Sequence, residues 1–202
     1  ARDKVGLLIG ADVGRSLASI QDEIDFSIFM QALRTLLDGK APSLSEADMD
    51  RIREAFSKRM DEREATRLAE LAQKNASEGA AFLAKNKANK GVFVTASGLQ
   101  YMVLRQGNGK RPRPTDRVRV SYHGTLIDGT VFDSSYERGQ PAEFALGQVI
   151  PGWTEGVALM PVGAKFRFWV PGPIAYGERG HPQGGIGPNA TLIFDVELLD
   201  VL

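Results

Sequence analysis

The hydrophobic pattern of the chain changes its period near residue 90. In the first part, apolar residues recur at intervals of three and four, which predicts amphipathic helices. One helix is indicated by the apolar stripe of residues 5–20, and a second begins after the capping residue Asp25. Gly39 followed by Pro42 is a stop signal for this second helix.

A third helix is predicted to be much longer than the first two. Ser45 and Asp48 resemble a capping pair, and the helical period continues from there to about residue 85 without a glycine or proline before Gly79. Residues 58–73 are mainly Lys, Arg, Asp, Glu and Ala, so this part cannot be buried on all sides. We therefore expect a solvent-exposed connecting helix between two folded parts of the chain.

The two short helices carry more apolar surface than two helices can cover against each other. Phe26, Phe29 and Met30 add to the regular stripe of the second helix. Since exposed apolar area of this size favours association, a second copy of the chain is the expected partner.

From residue 99 onward the pattern alternates with period two, which predicts β-strands. Strands are expected at residues 99–104, 117–123, 130–133, 165–170 and 192–198, with a hairpin turn at Asp128 and Gly129 and one short helix at residues 153–160. In the fourth strand, Phe166, Phe168 and Val170 alternate with Lys165, Arg167 and Trp169.

The resulting fold class is α+β: a helical N-terminal dimerisation domain (1–44), a long connecting helix (45–90), and an antiparallel curved sheet wrapped over one short helix (91–202).

Composition excludes several classes of function. The 25 basic and 25 acidic residues balance, which argues against nucleic acid as a partner. There is no cysteine, and the two histidines have no accompanying ligand cluster, so neither a metal site nor a cofactor is predicted. No serine has the spacing of a nucleophile elbow, and no glycine-rich segment opens a helix after a strand as a nucleotide cradle would.

No run of about 20 apolar residues is present, and the N-terminal residues lack the layout of a secretory signal. The chain is therefore expected either to be cytosolic or to have lost a leader that precedes this numbering.

Residues 122–153 concentrate aromatic and apolar side chains around a single acid, Asp133. Their combination predicts an apolar cup that accepts a hydrophobic peptide segment, although each aromatic residue taken alone is more typical of a core. The connection at residues 171–188 is rich in Gly and Pro yet contains Tyr176 and Ile186, which favours a functional loop over a purely solvated one.

Five segments, in this order and spacing, closely resemble the FKBP-type peptidyl-prolyl cis-trans isomerases. They are residues 120–124 (VSYHG), 128–135 (DGTVFDSS), 149–153 (VIPGW), 175–177 (AYG) and 190–198 (ATLIFDVEL). The helical first half is similar to the macrophage infectivity potentiator branch of bacterial FKBPs, in which such helices form a dimer.

The resemblance implies a pocket with Trp153 as its floor and Asp133 at its rim, the latter paired with Arg138. The residues implied to be catalytic are Tyr122, Phe132, Asp133 and Tyr176. Those implied to bind substrate are Val149, Ile150, Trp153, Ile186, Phe194 and Arg138. Ile186 corresponds to the apolar tip of the family's long loop. Ala142 replaces an aromatic residue of the eukaryotic prototype. This implies a more open wall, which counts against the affinity for macrocyclic inhibitors such as rapamycin more than against catalysis.

Two functions follow from this reading. The first is an isomerase that accelerates X-Pro bond rotation in proline-containing, unfolded or partly folded polypeptides, with chaperone activity in addition. The second is a dimeric peptide-binding chaperone or adhesion scaffold in which isomerisation is incidental. The aromatic set with Asp133 favours the enzyme, and the exposed apolar helices favour an added chaperone role.

Overall fold

A computed structural model describes residues 2–202 and divides the chain into two compact units. The first ends at Asp61 and the second comprises Glu62–Leu202, so the division falls inside the long helix. The domain boundaries at residues 44 and 90 that the sequence suggested stay predictions.

The first unit consists of helices. It contains α1 (Arg2–Leu17), a 3-10 turn (Ala18–Glu23), α2 (Phe26–Leu37) and the beginning of α3 (Glu46–Asn86). The predicted caps are confirmed, since the Asp25 carboxylate accepts hydrogen bonds from the Ser27 and Ile28 backbone N–H groups at 2.9 and 3.1 Å. The Ser45 hydroxyl likewise accepts from the Asp48 N–H at 3.1 Å and donates to its carboxylate.

The second unit is built on a seven-stranded antiparallel sheet. Its strands are β1 (Val92–Val94), β2 (Gln100–Arg105), β3 (Arg117–Leu126), β4 (Val131–Ser134), β5 (Ala142–Ala145), β6 (Lys165–Val170) and β7 (Leu192–Val201). The strand order is β1-β2-β6-β7-β3-β4, and β5 pairs with the first half of β3. The predicted α+β class is confirmed.

One short helix, α4 (Pro151–Ala158), packs on the sheet through its glycines. A Cβ at Gly152 would lie 2.5 Å from Val170 Cγ1, and one at Gly156 would lie 2.7 Å from Phe168 Cε1. Glycines four apart share a helix face, and residues two apart share a strand face, so this contact brings the α4 backbone directly onto β6. The side chain of Trp153, which belongs to α4, is packed between the helix backbone and the sheet.

Trp169 lies on the face of β6 opposite to Phe168 and Val170, yet it is only 6% exposed. Gln100 lies directly opposite it in the sheet, so both side chains project from the same face. The Gln100 amide donates to the Leu83 carbonyl at 2.9 Å and accepts from Asn86 at 2.9 Å. The end of α3 therefore covers this part of the outer face, which period-two alternation along one strand could not indicate.

Candidate active site

A cavity of about 450 Å³ opens between α4, the sheet and the loop after β6. Its lining is mainly aromatic and aliphatic. It is formed by Tyr122, Phe132, Asp133, Phe144, Gln148, Val149, Ile150, Pro151, Trp153, Ala175, Tyr176 and Phe194.

Trp153 forms the base of the cavity and is 5% exposed. Its ring meets those of Tyr122, Phe144 and Phe194 at centroid distances of 5.2, 5.5 and 5.3 Å, all nearly perpendicular. Edge-to-face pairs of this kind are the favoured geometry for aromatic rings. The floor of the cavity is thus a cluster of aromatic rings that pack against one another.

One wall consists of Phe132 on β4 and Phe194 on β7, with ring centroids 5.5 Å apart. Gly124 lies between them on β3, where it is paired with Phe194. A Cβ at this position would lie 2.7 Å from Phe132 Cζ and 3.0 Å from Phe194 Cε1. The glycine after His123 in the motif is therefore required because only a hydrogen leaves room for both rings.

The polar rim is a three-residue hydrogen-bond network. The Tyr122 hydroxyl donates to the Asp133 carboxylate, and the Arg138 guanidinium donates to the other oxygen of the same carboxylate. Arg138 also donates to the Tyr122 hydroxyl at 2.9 Å. One carboxylate and one guanidinium thus fix the direction in which the Tyr122 O–H points.

Ser135 holds the backbone on which this network is built. Its hydroxyl accepts from the Tyr122 N–H at 2.8 Å, and its own N–H donates to the Tyr122 carbonyl at 2.9 Å. Ser135 is 1% exposed, so these bonds are shielded from water. Sequence reasoning assigned no role to this serine, because a serine after a strand is equally typical of a turn.

Tyr176 completes the cavity from the loop after β6. It is 38% exposed, and its ring stacks on His181 at 4.9 Å and 15°. Burial, followed by the nearby Asp133 charge, raises the pKa of Tyr176. A tyrosine hydroxyl is protonated at neutral pH in any case, so it can donate a hydrogen bond.

Two family descriptions match the chain. Residues 108–199 match the family of FKBP-type peptidyl-prolyl cis-trans isomerases, and residues 2–103 match the family of domains that lie amino-terminal to these isomerases. A probable FKBP-type isomerase, FkpA, of Neisseria meningitidis serogroup B is 44% identical over 196 residues, which is 96% of this chain and 72% of the relative.

The chain belongs to the FKBP-type peptidyl-prolyl cis-trans isomerases. It is accordingly an enzyme that accelerates rotation about X-Pro bonds, and the predicted family and activity are confirmed.

A second relative and a solved structure are similar to this FKBP-type chain over nearly its whole length. The outer membrane protein MIP of Legionella longbeachae is 40% identical over 200 residues, covering 99% of this chain and 85% of the relative. The crystal structure of FkpA from Escherichia coli superimposes with a TM-score of 0.81 at 37% identity, covering 98% of this chain and 95% of that one.

The structure brings most of the predicted site residues of this FKBP-type chain to the cavity. Eight of the ten line it: Tyr122, Phe132, Asp133, Val149, Ile150, Trp153, Tyr176 and Phe194. Arg138 reaches it through Asp133 and Tyr122. Ile186 does not line it, since its side chain is 3% exposed within the core and its backbone pairs with His181.

Four lining residues had no assigned site role: Phe144, Gln148, Pro151 and Ala175. Phe144 belonged to the aromatic stretch recognised in the sequence, which was the available signal. The others lie beside predicted residues on the same turns. Within residues 2–202 no group of three or more His, Cys, Asp or Glu side chains is arranged to hold a metal.

The pKa of Tyr122 lies above the usual value of a tyrosine. Burial raises its pKa to about 12, the bond to Asp133 adds to the rise, and Arg138 opposes it. An unfolded tyrosine titrates near pH 10. Between pH 10 and about 12 the folded state therefore keeps a proton that the unfolded state has released.

We expect the free energy of unfolding to fall across this pH window and the contribution of Tyr122 to be complete below pH 10. Between pH 10 and 12, the free energy of unfolding of Tyr122→Phe should fall by about 1–2 kcal/mol less than that of the wild type. This difference is smaller than the full pKa shift would give, because the rim is partly open to solvent. Urea unfolding of both proteins at pH 8, 10 and 11.5 measures the difference. Equal losses in the two proteins would contradict it.

Proposed function

We propose that the 450 Å³ cavity is the isomerase site of the enzyme and that it binds the proline ring of an unfolded or partly folded polypeptide. The observation that carries this proposal is the combination of an aromatic base around Trp153 with one oriented hydrogen-bond network at the rim. Binding sites for small ligands usually have this form, an apolar pocket with a few converging polar groups.

The chemistry needs neither a nucleophile nor a proton transfer. Rotation about a peptide bond has a barrier of ~18–20 kcal/mol because resonance must be broken, and X-Pro bonds exchange in tens to hundreds of seconds. The twisted transition state has lost part of the carbonyl dipole of the planar amide. Transfer from water to an apolar pocket therefore raises the free energy of the planar ground state more than that of the transition state.

Each group of the site has a proposed role. Phe132, Trp153, Val149 and Phe194 surround the prolyl ring. Ile150 is the N-cap of α4, so its N–H is outside the helical hydrogen bonds and available to a substrate carbonyl. The Tyr176 hydroxyl holds a second carbonyl, while Asp133 and Tyr122, fixed by Arg138, orient the twisted group.

Tyr122 is a hydrogen-bond donor in this proposal and not an acid catalyst. Its pKa of about 12 keeps the proton on the phenol throughout the physiological range. Because the lining is apolar, a bulky apolar residue before proline is the preferred substrate. Macrocyclic inhibitors such as rapamycin are a second proposed class of ligand for this cavity, with an affinity limited by the small side chain of Ala142.

The two tryptophans of the chain provide a direct test of this site. Trp153 lines the cavity and its indole N–H has no hydrogen-bond partner among the described residues, whereas Trp169 is buried outside the cavity. Addition of a peptide with a Leu-Pro bond is expected to shift the Trp153 indole resonance in ¹H–¹⁵N spectra and to leave that of Trp169 unchanged.

The matched control peptide has alanine in place of proline and should shift neither indole signal at the same concentration. A Trp153 resonance that does not respond to saturating Leu-Pro peptide would remove the assignment of the cavity.

We further propose that the chain is a homodimer through its N-terminal helices and that the dimer has chaperone activity. No residue within 2–61 is buried, although α1 and α2 carry many large apolar side chains. Leu7, Leu8, Leu36 and Leu37 are 54–80% exposed. Apolar patches this extensive are typical of association surfaces.

A groove of about 540 Å³ between α2 and the start of α3 belongs to this surface. It is lined by Ile28, Gln31, Ala32, Thr35, Leu36, Pro42, Ser43, Leu44 and Met49. This exposed apolar area also supports the alternative function, a dimeric peptide-binding chaperone or adhesion scaffold in which isomerisation is incidental.

For location we propose the bacterial periplasm or the outer membrane, with the cytoplasm as the alternative. The Legionella longbeachae relative, which is named an outer membrane protein, supports the first. Osmotic-shock fractionation of the producing cells distinguishes the two compartments. Among residues 2–202, no helix combines the length and the apolar character needed to cross a bilayer.

A further inference from the structure

The loop that carries Tyr176 is attached to the carboxyl-terminal half of α3. Two asparagine side chains make reciprocal bonds at this contact. The Asn75 amide on α3 donates to the Pro188 carbonyl at 2.8 Å, and the Asn189 amide in the loop donates to the Ala72 carbonyl at 3.4 Å. A helical carbonyl can accept this second bond because it has two lone pairs.

The packing at this contact leaves little free space. A Cβ at Gly79 of α3 would lie 2.3 Å from the Thr191 hydroxyl, and one at Gly187 would lie 3.0 Å from the Asn75 amide and 3.2 Å from Leu71. Pro188 and Thr191 are both buried. The helix and the end of the loop are therefore closely packed, in addition to being joined by hydrogen bonds.

Asn189 transmits this contact to the segment of Tyr176. Its backbone N–H donates at 2.8 Å to the carbonyl of Gly177, the residue directly after Tyr176. Asn189 has φ +55°, and no other non-glycine residue within 2–202 has a positive φ. A left-handed residue of this type is tolerated where its surroundings fix it, and asparagine is among the side chains that adopt it most readily.

The same residue is also pressed against the start of the loop. A Cβ at Gly172 would lie 2.7 Å from the Asn189 carbonyl oxygen. Asn189 thus contacts the loop before Tyr176, the residue after Tyr176, and α3. A change in its position has to change the position of the intervening segment.

We propose that Asn75 and Asn189 are positioning residues for Tyr176, through which α3 sets the geometry of the substrate pocket. This inference rests on the assignment of Tyr176 to that pocket made above. Neither asparagine lines the cavity, so each acts only through the loop. The role of α3 in this enzyme then includes catalysis in addition to its connection to the N-terminal helices.

The test compares Asn75→Ala and Asn189→Gly with Lys74→Ala in the chain of 202 residues. Glycine keeps the left-handed backbone of residue 189 accessible and removes only the amide side chain. Lys74 is on the same turn of α3, its side chain is 65% exposed, and its ion-pair partner is Glu78 of the helix itself. For a Leu-Pro peptide we expect kcat/KM to fall about fivefold in the two asparagine variants, the range of one lost hydrogen bond, and less than about twofold in Lys74→Ala.

A spectroscopic readout separates positioning from a general loss of stability. The chain has four tyrosines, and in ring-¹³C-tyrosine spectra the Tyr176 signal is the one that disappears in Tyr176→Phe. Because this ring stacks on His181, its resonance is expected to shift in Asn75→Ala and Asn189→Gly. The signal of Tyr101 on β2 should not shift.

A double-mutant cycle tests whether the effect of Asn75 on kcat/KM depends on Tyr176. In a Tyr176→Ala background, Asn75→Ala should lower kcat/KM by less than about twofold, since the residue through which it acts is gone. Additive losses, or unchanged Tyr176 resonances in both asparagine variants, would overturn the positioning role. Full activity of Tyr176→Ala alone would instead overturn the assignment of Tyr176 to the pocket. Should Asn75→Ala fail to fold, Asn189→Gly carries the same comparison.

Discussion

Replacing Phe132 with alanine is expected to lower kcat/KM for a Leu-Pro peptide about 30- to 100-fold. The ring forms part of the cavity wall and is supported edge-to-face by Phe194 at 5.5 Å. Its removal takes away about 2–3 kcal/mol of apolar contact with the prolyl ring, at about 1.4 kcal/mol per tenfold in rate. It also admits water to the carbonyl that the proposed mechanism requires to be desolvated. NMR exchange between the cis and trans signals of the peptide measures the rate.

Phe93→Ala is the matched control for this prediction. Phe93 is also an aromatic strand residue, but it is 54% exposed on β1, at the far edge of the sheet from β4. Its variant should keep the wild-type rate. A companion variant, Asp133→Ala, removes the acceptor that orients the Tyr122 hydroxyl and leaves Arg138 without its carboxylate. Wild-type exchange rates in both Phe132→Ala and Asp133→Ala would disprove the active-site assignment.

The double variant Leu8→Glu/Leu36→Glu is expected to convert the enzyme from a dimer of about 44 kDa to a monomer of 22.0 kDa. Within one chain these side chains are 60% and 54% exposed, so charges there cost little in a monomer. In a dimer that buries them, each unpaired carboxylate would have to leave water at a cost of several kcal/mol. Analytical ultracentrifugation at micromolar concentration measures the mass.

The control for the dimer is Leu104→Glu, which makes the same substitution at a 42% exposed leucine of β2. It should remain dimeric. The monomeric double variant should keep its kcat/KM for a short peptide, because the cavity lies within residues 122–194. It should lose the ability to suppress aggregation of an unfolded protein. A wild-type mass of 22.0 kDa, or a double variant that stays at the dimer mass, would contradict the prediction.

Several elements could be predicted from the sequence because their signals are local. The capping residues Asp25 and Ser45 act on backbone groups two or three positions away, so the start of α2 and α3 was available from the order of residues alone. The hairpin at Asp128 and Gly129 is similar, since Gly129 has φ +88° and supplies the turn. By contrast, β1 spans only three residues, too few for a period to be recognised.

Two residues have environments that come from distant parts of the chain and that a local pattern could not indicate. Trp169 alternates with buried residues and would face water in an isolated sheet, but the end of α3, more than 80 positions earlier, covers it. Ile186 was placed at the tip of the long loop, where motif position gives no register. In the structure Ile186 pairs with His181 and is 3% exposed, whereas Tyr176 and Ala175 of the same loop region line the cavity.

The sequence by itself determined the family, the helical first half, the antiparallel sheet and most of the aromatic residues of the pocket, because periodicity, caps and ordered motifs are properties of neighbouring residues. Only the tertiary structure decided how these residues meet. Gly124 separates Phe132 and Phe194, Ser135 fixes the backbone of Tyr122, and α3 reaches the loop of Tyr176 through Asn75. Each of these depends on atoms of distant segments approaching within hydrogen-bonding or van der Waals distance, which no local pattern encodes.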